Sequence, residues 1–394
     1  MLLRWNSESV ETFLLDVIEE RRMGKGYALL RFVLLILSWL FTALVKLRIW
    51  LYKQRILRVK TLGCQVISVG NLTVGGTGKT PVVEVFARLL EERGRKVAIL
   101  SRGYKSRSLT FWEKMKQRIS NRSIEAPPRV VSDGERLLLD SYVAGDEPYM
   151  LASNLPRVAV IVDKDRVKAG KYAIRELGCD TLILDDGFQY LKLANRLDIA
   201  LVDRTNPMGG GHLLPRGLLR EPMRHIKRAG FIFITKCDES GARELKAKLR
   251  SLNPNAEISE CRHTAKYLKH VYGREDAALE DLKGMRIAAL SAIAVPESFE
   301  RALEEQGAQI VYTKRFADHH RFTQQEVIDA INGSIEAGAE ALLTTEKDAV
   351  RFPRLERRDL SVLYMRVEIE MISGEEEFIN WIERICFRST RIAS

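Results

Sequence analysis

The sequence has few cysteines, and their arrangement argues against a fold that is cross-linked by disulfide bonds. The thiols are odd in number and include no C-x-x-C pair; they are Cys64, Cys179, Cys237, Cys261 and Cys386. This pattern argues against a disulfide framework and against a zinc site. We therefore expect reduced and mostly buried thiols in a cytoplasmic protein body.

The chain also lacks a secretory cleavage site and a full-length membrane-spanning run. The charge-free run from Phe32 to Val45 is shorter than the roughly 20 apolar residues that cross a bilayer. A cationic collar follows it, made of Lys46, Arg48, Lys53, Arg55, Arg58 and Lys60. We expect an N-terminal membrane-associated helix that either spans the bilayer or lies in the interface with its collar on anionic lipid. A buried core helix is the alternative.

Internal repeats and low-complexity tracts are absent as well, and the size is that of a folded, multi-part protein. With 394 residues, of which 46% are hydrophobic, the chain is long enough for two domains and an appendage. Its net charge of +11 and pI near 9.4 indicate an anionic partner. Phospholipid head groups, a phosphorylated substrate and nucleic acid all fit that charge.

The stretch from Gly70 to Pro81 (GNLTVGGTGKTP) is the most informative motif that is present. It lies between an apolar run typical of a strand and an amphipathic run typical of a helix. A glycine-rich turn in that position aims backbone N–H groups at one point, and a following Lys-Thr adds a charge and a metal-binding hydroxyl. We interpret it as a phosphate-binding loop, rather than a plain turn, although Thr73 occupies the first glycine position of the strict pattern. The expected nucleotide contacts are Thr73, Val74, Gly75, Gly76, Thr77, Gly78, Lys79 and Thr80.

Short apolar runs alternate with helical segments along the rest of the chain. This alternation predicts an α/β fold with a P-loop NTPase-like, doubly wound parallel sheet. The basic, polar segment from Ser106 to Pro128 interrupts it and reads as an inserted surface excursion. A second, smaller α/β unit begins near Gly284. We therefore expect a helical anchoring region over residues 1–61, a domain that contains the phosphate loop over 62–283 and a smaller α/β domain over 284–394.

Two groups of polar residues follow predicted strands and could carry chemistry. Asp185 and Asp186 end an apolar strand, so they are expected beside the phosphate loop, where they could hold magnesium or accept a proton. For a single acidic residue at the end of a strand, the simpler interpretation is that it caps the N-terminus of the next helix. His319 and His320 follow Asp318 in the second unit; one of them could take a proton from a substrate hydroxyl, or both could be surface or capping residues.

Two further loops could contribute. The glycine-rich run from Gly209 to Pro222 is too long to be only a connector, and its Glu221 could reach a metal while its arginines bind phosphate. The turn Thr235-Lys236-Cys237-Asp238 has the form of the base-reading T/N-K-x-D turn of P-loop proteins.

Taken together, eight stretches of the chain resemble the tetraacyldisaccharide 4'-kinase (lipid A 4'-kinase) family. In order they are SVGNLTVGGTGKTP, LSRGY, GDEPYML, LDDGFQ, LLPRGLLREP, ITKCD, ADHHRF and LTTEKDAVRF. The resemblance implies a P-loop kinase on the cytoplasmic face of the inner membrane. It would use ATP and Mg²⁺ to phosphorylate the 4'-hydroxyl of a lipid A disaccharide precursor.

The resemblance also assigns roles to single residues. Lys79 and Thr80 would serve the ATP phosphates and magnesium, and Asp186 and His319 would form the dyad that activates the hydroxyl. The family's other acidic site positions fall on Asp146, Asp185 and Glu221. Among these residues, the expected metal ligands are Thr80, Asp146 and Glu221.

Two other classes of function compete with this interpretation. The T-K-x-D turn would suit a membrane-tethered NTPase switch that needs a protein partner and no small acceptor. The high pI would suit a nucleic-acid-binding ATPase, but the basic residues cluster at the anchor rather than along an aromatic-studded groove. We therefore expect anionic inner-membrane lipid and the lipid precursor as partners, with no nucleic acid and no obligate protein partner.

Overall fold

The structure is a computed structural model that describes residues 7–103, 127–273, 276–357 and 359–386. Of the predicted excursion from Ser106 to Pro128, residues 106–126 lie outside the described residues. The strands are β1 (Gln65–Asn71), β2 (Val97–Ser101), β3 (Arg129–Asp133), β4 (Ala159–Val162), β5 (Thr181–Asp185), β6 (Leu197–Asp203), β7 (Ala229–Thr235), β8 (Glu257–His270), β9 (Asp276–Ala277), β10 (Arg286–Ser291), β11 (Gln309–Arg315), β12 (Ala341–Thr345) and β13 (Ser361–Ser373).

Helices separate most of these strands. The α-helices are Ser7–Ile18, Lys25–Lys53, Lys79–Glu92, Ser141–Ala144, Asp146–Asn154, Arg166–Arg175, Arg243–Leu252, Pro296–Glu305, Gln324–Glu336, Glu346–Ala349 and Glu375–Cys386. Single 3₁₀ turns occupy Gly209–Gly211, Met223–Arg228 and Leu279–Leu282.

The chain divides into two compact units, each assembled from separate stretches. The first comprises residues 1–79, 180–262 and 371–394, and the second comprises residues 80–179 and 263–370. The domain boundaries expected from the sequence, at 61/62 and 283/284, stay a prediction.

In the first unit, five strands pair in parallel in the order β8, β7, β6, β1 and β5. All residues of β5 are buried, and only the first residue of β1 is not, as expected for parallel strands covered on both faces. Because parallel strands end at the same edge of a sheet, the segments after β1, β5 and β6 emerge together. That edge carries the phosphate loop, the Asp185–Asp186 turn and the loop that contains Glu221.

The second unit contains two groups of paired strands. β2 and β4 are parallel, and β3 runs antiparallel to β4. β10 pairs in parallel with β11 and β12, and β12 pairs in parallel with β13. Along β10 and β12, alternate residues belong to two different core clusters: Ala289 and Leu343 lie in one, and Ala288 and Leu342 in the other. This two-residue period shows that both faces of these strands are buried.

The N-terminal helix Lys25–Lys53 is long and apolar enough to cross a membrane, with a mean hydropathy of 2.3 over its most apolar stretch. Only 11% of that stretch is buried, which disfavours the buried core helix. One face docks on the first unit, where Ser38 Oγ donates to the carbonyl of Leu213 at 2.8 Å and Phe41 packs against the adjoining core. The fold class predicted from the sequence is thus confirmed in its α/β character, its parallel strands and its apolar N-terminal helix.

Candidate active site

The phosphate loop leaves the buried end of β1 and turns into the helix Lys79–Glu92. Its tip is exposed, and Gly75 has a φ of 114° that strains any residue with a Cβ. Asn71 braces the loop from the end of β1, because its Nδ2 donates to Thr77 Oγ1 at 3.1 Å and its Oδ1 lies 3.5 Å from Lys79 Nζ. A strand, a glycine turn, a lysine and a helix start therefore occur in the order that phosphate binding requires.

Thr73, which replaces a glycine of the strict pattern, has a structural role in this loop. Its side chain is buried, and its backbone forms an isolated antiparallel bridge with Leu219. The next residue, Val74, donates its N–H to the carbonyl of Leu218 at 2.7 Å. The first part of the loop is thus tied to the segment that carries Arg220 and Glu221.

The Asp185–Asp186 turn lies directly beside the end of β1. Gly187 donates to the carbonyl of Val69, and a Cβ on Gly187 would lie 2.5 Å from that of Leu184, so no larger residue fits. Asp185 is buried, whereas the carboxylate of Asp186 accepts two hydrogen bonds from Arg220 Nη1, at 2.9 and 2.8 Å. Lys79 Nζ lies 3.7 Å from the same carboxylate. The structure therefore brings Lys79 and Asp186 together.

Glu221 is buried against two other side chains. One of its oxygens, Oε2, accepts a hydrogen bond from Arg228 and lies 2.8 Å from His225 Nδ1. Burial alone would raise its pKa, but the hydrogen bonds from His225 and Arg228 hold the pKa of Glu221 below its ordinary value. Glu221 is thus a charged carboxylate with protein partners on one oxygen, and its role as a metal ligand stays a prediction.

A second cluster, in the other compact unit, surrounds His319. Asp146, the first residue of the helix Asp146–Asn154, places Oδ2 at 3.3 Å from His319 Nδ1. Arg351 Nε donates to the same oxygen at 2.9 Å, and Arg321 Nη2 donates to the other at 3.1 Å. Although burial alone would raise it, the hydrogen bond from His319 and the charge of Arg351 hold the pKa of Asp146 below its ordinary value. His319 thus lies against an ionised carboxylate.

His320 has a different environment from its neighbour. Its Nε2 lies 3.1 Å from both oxygens of Glu326, and its ring stacks on Phe316 with centroids 4.7 Å apart. Glu326 also forms a capping box with Thr323 at the start of the helix Gln324–Glu336. These contacts make His320 part of a helix N-terminus.

A match to a known protein family shows which kind of protein contains these two clusters of residues. Residues 30–386 match the family described as tetraacyldisaccharide-1-P 4'-kinase, LpxK. The chain belongs to this kinase family.

Similar proteins agree with that assignment. The tetraacyldisaccharide 4'-kinase of Anaeromyxobacter dehalogenans is 42% identical over 85% of this chain and 85% of its own length. The enzyme of the same name from Geobacter metallireducens is 39% identical over 85% of this chain and 92% of its own length. The structure of Aquifex aeolicus LpxK in complex with ATP matches with a TM-score of 0.70 and 30% identity, over 90% of this chain and 99% of that chain.

Within this kinase family member, the pairing of His319 with Asp186 stays a prediction. The sequence pairs His319 with Asp186, but the carboxylate that the structure brings against His319 is that of Asp146. Asp186 belongs to the first compact unit, and its described partners are Arg220 and Lys79.

The metal ligands expected from the sequence, Thr80, Asp146 and Glu221, stay a prediction. Among the described residues, no group of three or more His, Cys, Asp or Glu side chains is arranged to hold a metal ion. Mg²⁺ bound to a nucleotide needs only one or two protein oxygens, because phosphates and waters supply the rest. Thr80 and the Asp185–Asp186 pair offer oxygens of the required kind.

From the sequence, the polar turn from Thr344 to Asp348 has no expected role beyond lining the cleft. It lies at the end of β12. In the structure Arg351 contacts Asp146 and His319, and Lys347 Nζ lies 3.3 Å from His319 Nε2. The available signal was the position of a charged turn at the end of a parallel strand.

Proposed function

We propose that the chain transfers the γ-phosphate of ATP to the 4'-hydroxyl of a tetraacyldisaccharide 1-phosphate, forming lipid IVA in lipid A biosynthesis. The observation that carries the proposal is the family match over residues 30–386. The names of its relatives and the ATP complex of the Aquifex aeolicus protein support the substrate and the donor.

The phosphate loop would bind the donor. Backbone N–H groups from Thr73 to Gly78 and the start of the following helix would bind phosphate oxygens, with Lys79 adding a charge. Magnesium, when bound, would neutralise phosphate charge; Thr80 and Asp185 would hold it. Asp146 and Glu221 are weaker candidates because each already contacts arginine.

His319 would take the proton of the 4'-hydroxyl. Its Nδ1 faces Asp146, so the proton on that nitrogen is oriented by a carboxylate and Nε2 is left to act as the base. The sequence-derived alternative gives the orienting role to Asp186. The contact between His319 and Asp146 favours Asp146 as the carboxylate that orients the histidine. Asp186 and Arg220 would then act beside the phosphate loop.

A double-variant experiment separates the two pairings. Asp146→Ala and His319→Ala are each expected to lower kcat by about 10²-fold or more, with the double variant scarcely worse than either single one. Asp186→Ala combined with His319→Ala should instead give losses that multiply. His320→Ala is the matched control and should keep near-wild-type kcat. The opposite pattern, non-additive for Asp186 and multiplicative for Asp146, would assign the dyad to Asp186.

The class of acceptor is tested by ATP consumption. We expect turnover that depends on the lipid disaccharide and is not stimulated by DNA or by protein. The competing switch function already has less support, because Asp238 of the T-K-x-D turn accepts hydrogen bonds from Arg204, at 2.6 Å, and from Ser240. Stimulation by DNA, or by a protein without any lipid acceptor, would contradict the proposal.

We also propose that the helix Lys25–Lys53 attaches the chain to the cytoplasmic face of the inner membrane. Large apolar side chains are exposed along this helix, among them Phe32, Trp39, Leu40, Leu44 and Trp50. The cationic collar at its end suits anionic lipid head groups. The acceptor carries acyl chains, so attachment would place the kinase where its substrate resides.

A further inference from the structure

The two ring nitrogens of His319 have different surroundings. Nδ1 lies 3.3 Å from Asp146 Oδ2 and 3.2 Å from Arg351 Nη2, so this nitrogen is enclosed by protein groups. Nε2 faces the ammonium of Lys347 at 3.3 Å, and the carboxylate of Asp318 lies further off at 3.9 Å. The Nδ1 side thus offers an acceptor, Asp146, and a donor, Arg351, whereas the ammonium of Lys347 can only donate to Nε2. Lys347 therefore occupies the side of the ring that has to meet the substrate.

The backbone of Lys347 is fixed by its neighbours. It belongs to the short helix Glu346–Ala349, which Thr345 caps by accepting from the N–H of Asp348. Glu346 accepts two hydrogen bonds from Arg366, at 2.7 and 2.8 Å. Asp348 is fully buried and bonded to Arg351, Thr345 and the N–H of Ala292. The flanking carboxylates are thus used to hold the turn, while the Lys347 side chain projects to the histidine.

Lys347 differs from the other cations of the cluster in its contacts: among the described residues it forms no hydrogen bond or ion pair with a carboxylate, although its charge acts on the adjacent Asp348. Arg351 is completely buried and its guanidinium is shared between Asp146 and Asp348. Arg321 pairs with Asp146. By contrast, the described residues place no carboxylate within ion-pair distance of the half-buried Lys347 ammonium. A half-buried cation that no carboxylate contacts directly is suited to an anionic group of the substrate.

We propose that Lys347 is a further catalytic residue, one that binds a non-bridging oxygen of the phosphoryl group in transit. This inference rests on the proposed function. During the transfer, the 4'-hydroxyl gives its proton to His319 Nε2 and its oxygen forms a bond to the γ-phosphorus. The bond from that phosphorus to the β–γ bridging oxygen breaks, and ADP leaves.

Lys347 forms no covalent bond in this step. Its flexible side chain leaves Nε2, which frees that nitrogen for the proton, and turns to the phosphoryl oxygens. Charge spreads over those oxygens in the transition state, so a cation placed there lowers the barrier. Arg351 cannot make the same movement because its planar group is held on three sides.

Three variants test the assignment. Lys347→Met removes the charge and keeps the length, Lys347→Arg restores a charge, and Lys314→Met is the matched control. Lys314 is half-buried in the same unit and lies over the Phe316 ring, 5.6 Å from its centroid. We expect Lys347→Met to lower kcat by about 10²-fold with KM for ATP nearly unchanged. Lys347→Arg should regain part of kcat, and Lys314→Met should match wild type.

A second measurement does not depend on turnover. In the ¹⁵N imidazole NMR spectrum of the protein, the His319 Nε2 signal should shift in Lys347→Met but not in Lys314→Met. If wild-type protein fails to phosphorylate the disaccharide, the proposed function is wrong. If wild type transfers phosphate and Lys347→Met keeps kcat within about threefold, with an unchanged Nε2 signal, the role of Lys347 is wrong and the proposed function stands.

Discussion

Asp146 is the residue on which the histidine cluster depends. Its carboxylate lies against His319 and pairs with both Arg351 and Arg321. Since its pKa is lowered on folding, the ionised form is the one that the native contacts stabilise. The stability that ionised Asp146 contributes is therefore fully present above pH 3.8, the ordinary pKa of its carboxyl group. It is lost as the pH falls from that value through the lower pKa of the folded protein.

The corresponding prediction concerns Asp146→Asn. At pH 7 this variant should lose about 2 kcal/mol of unfolding free energy, since it gives up hydrogen bonds between charged groups. Urea unfolding at several pH values should show a constant difference from wild type between pH 8 and pH 5. The difference should shrink below about pH 4. A difference that instead grows as pH falls would show that Asp146 is not held ionised.

The buried thiols give a second residue-level prediction. Burial raises the pKa of Cys237 to about 11 and that of Cys261 to about 12. Because the thiolate is the reactive form, iodoacetamide at pH 8 should label the half-buried Cys64 well before either of them. Peptide mass spectrometry gives the order of labelling. Early labelling of Cys237 or Cys261 in folded protein would contradict the burial of the β7 and β8 ends.

At the scale of single residues, the types of the candidate site residues were predictable from the sequence, but the side chains that contact them were not. Lys79, Asp186 and His319 stood in local motifs whose chemistry can be read from a few neighbouring residues. The pairing of Asp146 with His319 joins positions 173 residues apart, and that of Arg351 with Asp146 joins positions 205 apart. No local pattern encodes such contacts; only the folded sheet order brings them together.

At the scale of elements, three helices that carry candidate site residues share one buried network. They are Lys79–Glu92, Asp146–Asn154 and Glu346–Ala349. Arg366 on β13 donates to Glu84 in the first helix and to Glu346 in the third. Asn154, at the end of the second, donates to both of these carboxylates, at 3.2 and 2.7 Å. The network fixes the helix that follows Lys79 and Thr80 relative to the helices that carry Asp146 and Lys347.

Replacing Arg366, the arginine at the centre of this network, should lower the free energy of unfolding substantially. Arg366→Met leaves the buried carboxylates of Glu84 and Glu346 without their main cation, and should reduce unfolding free energy by about 3–5 kcal/mol. Arg88→Met is the control, because Arg88 pairs with the same Glu84 but is 38% exposed; it should cost about 1 kcal/mol or less. Equal losses in chemical denaturation would show that the network does not hold the helices together.

The strands that sequence reasoning found and those it missed differ in one physical respect. β1, β5 and β7 are continuous apolar runs, which a search for buried parallel strands detects. β8 and β13 run for 14 and 13 residues but contain many charged side chains and are only half-buried over much of their length. Charged residues interrupt the apolar pattern of these two long strands, so the pattern did not predict them. The helices and most of the parallel strands were predictable.

For the whole molecule, the apolar N-terminal helix Lys25–Lys53 is bonded to the end of β1, from which the phosphate loop leaves. Arg48 Nη2 donates to the carbonyl of Gln189 at 3.0 Å, and Gln189 Nε2 donates to the carbonyl of Asn71 at 2.9 Å. Asn71 in turn braces the phosphate loop. The helix that exposes apolar side chains is therefore bonded, through one intermediate residue, to the end of β1.

Removal of residues 1–53 tests this anchoring role and keeps the bridge between Lys60 and Leu193. The truncated protein should leave the membrane fraction yet still bind ATP. It should be less stable by roughly 3 kcal/mol, from the lost burial of Leu34 and the lost hydrogen bond of Ser38. Fractionation after a high-salt wash and urea unfolding provide the measurements. Retention on membranes would show that another surface anchors the chain, and failure to fold would show that the helix is a core element.

The most direct test of the whole account is transfer of label from γ-³²P-ATP to a tetraacyldisaccharide 1-phosphate by wild type and by Lys79→Ala. Wild type is predicted to place the label on the 4'-oxygen of the lipid. Lys79→Ala, whose lost charge faces phosphate rather than a core, is predicted to remain folded and to transfer almost none. Label released as inorganic phosphate alone, or normal transfer by Lys79→Ala, would contradict the account.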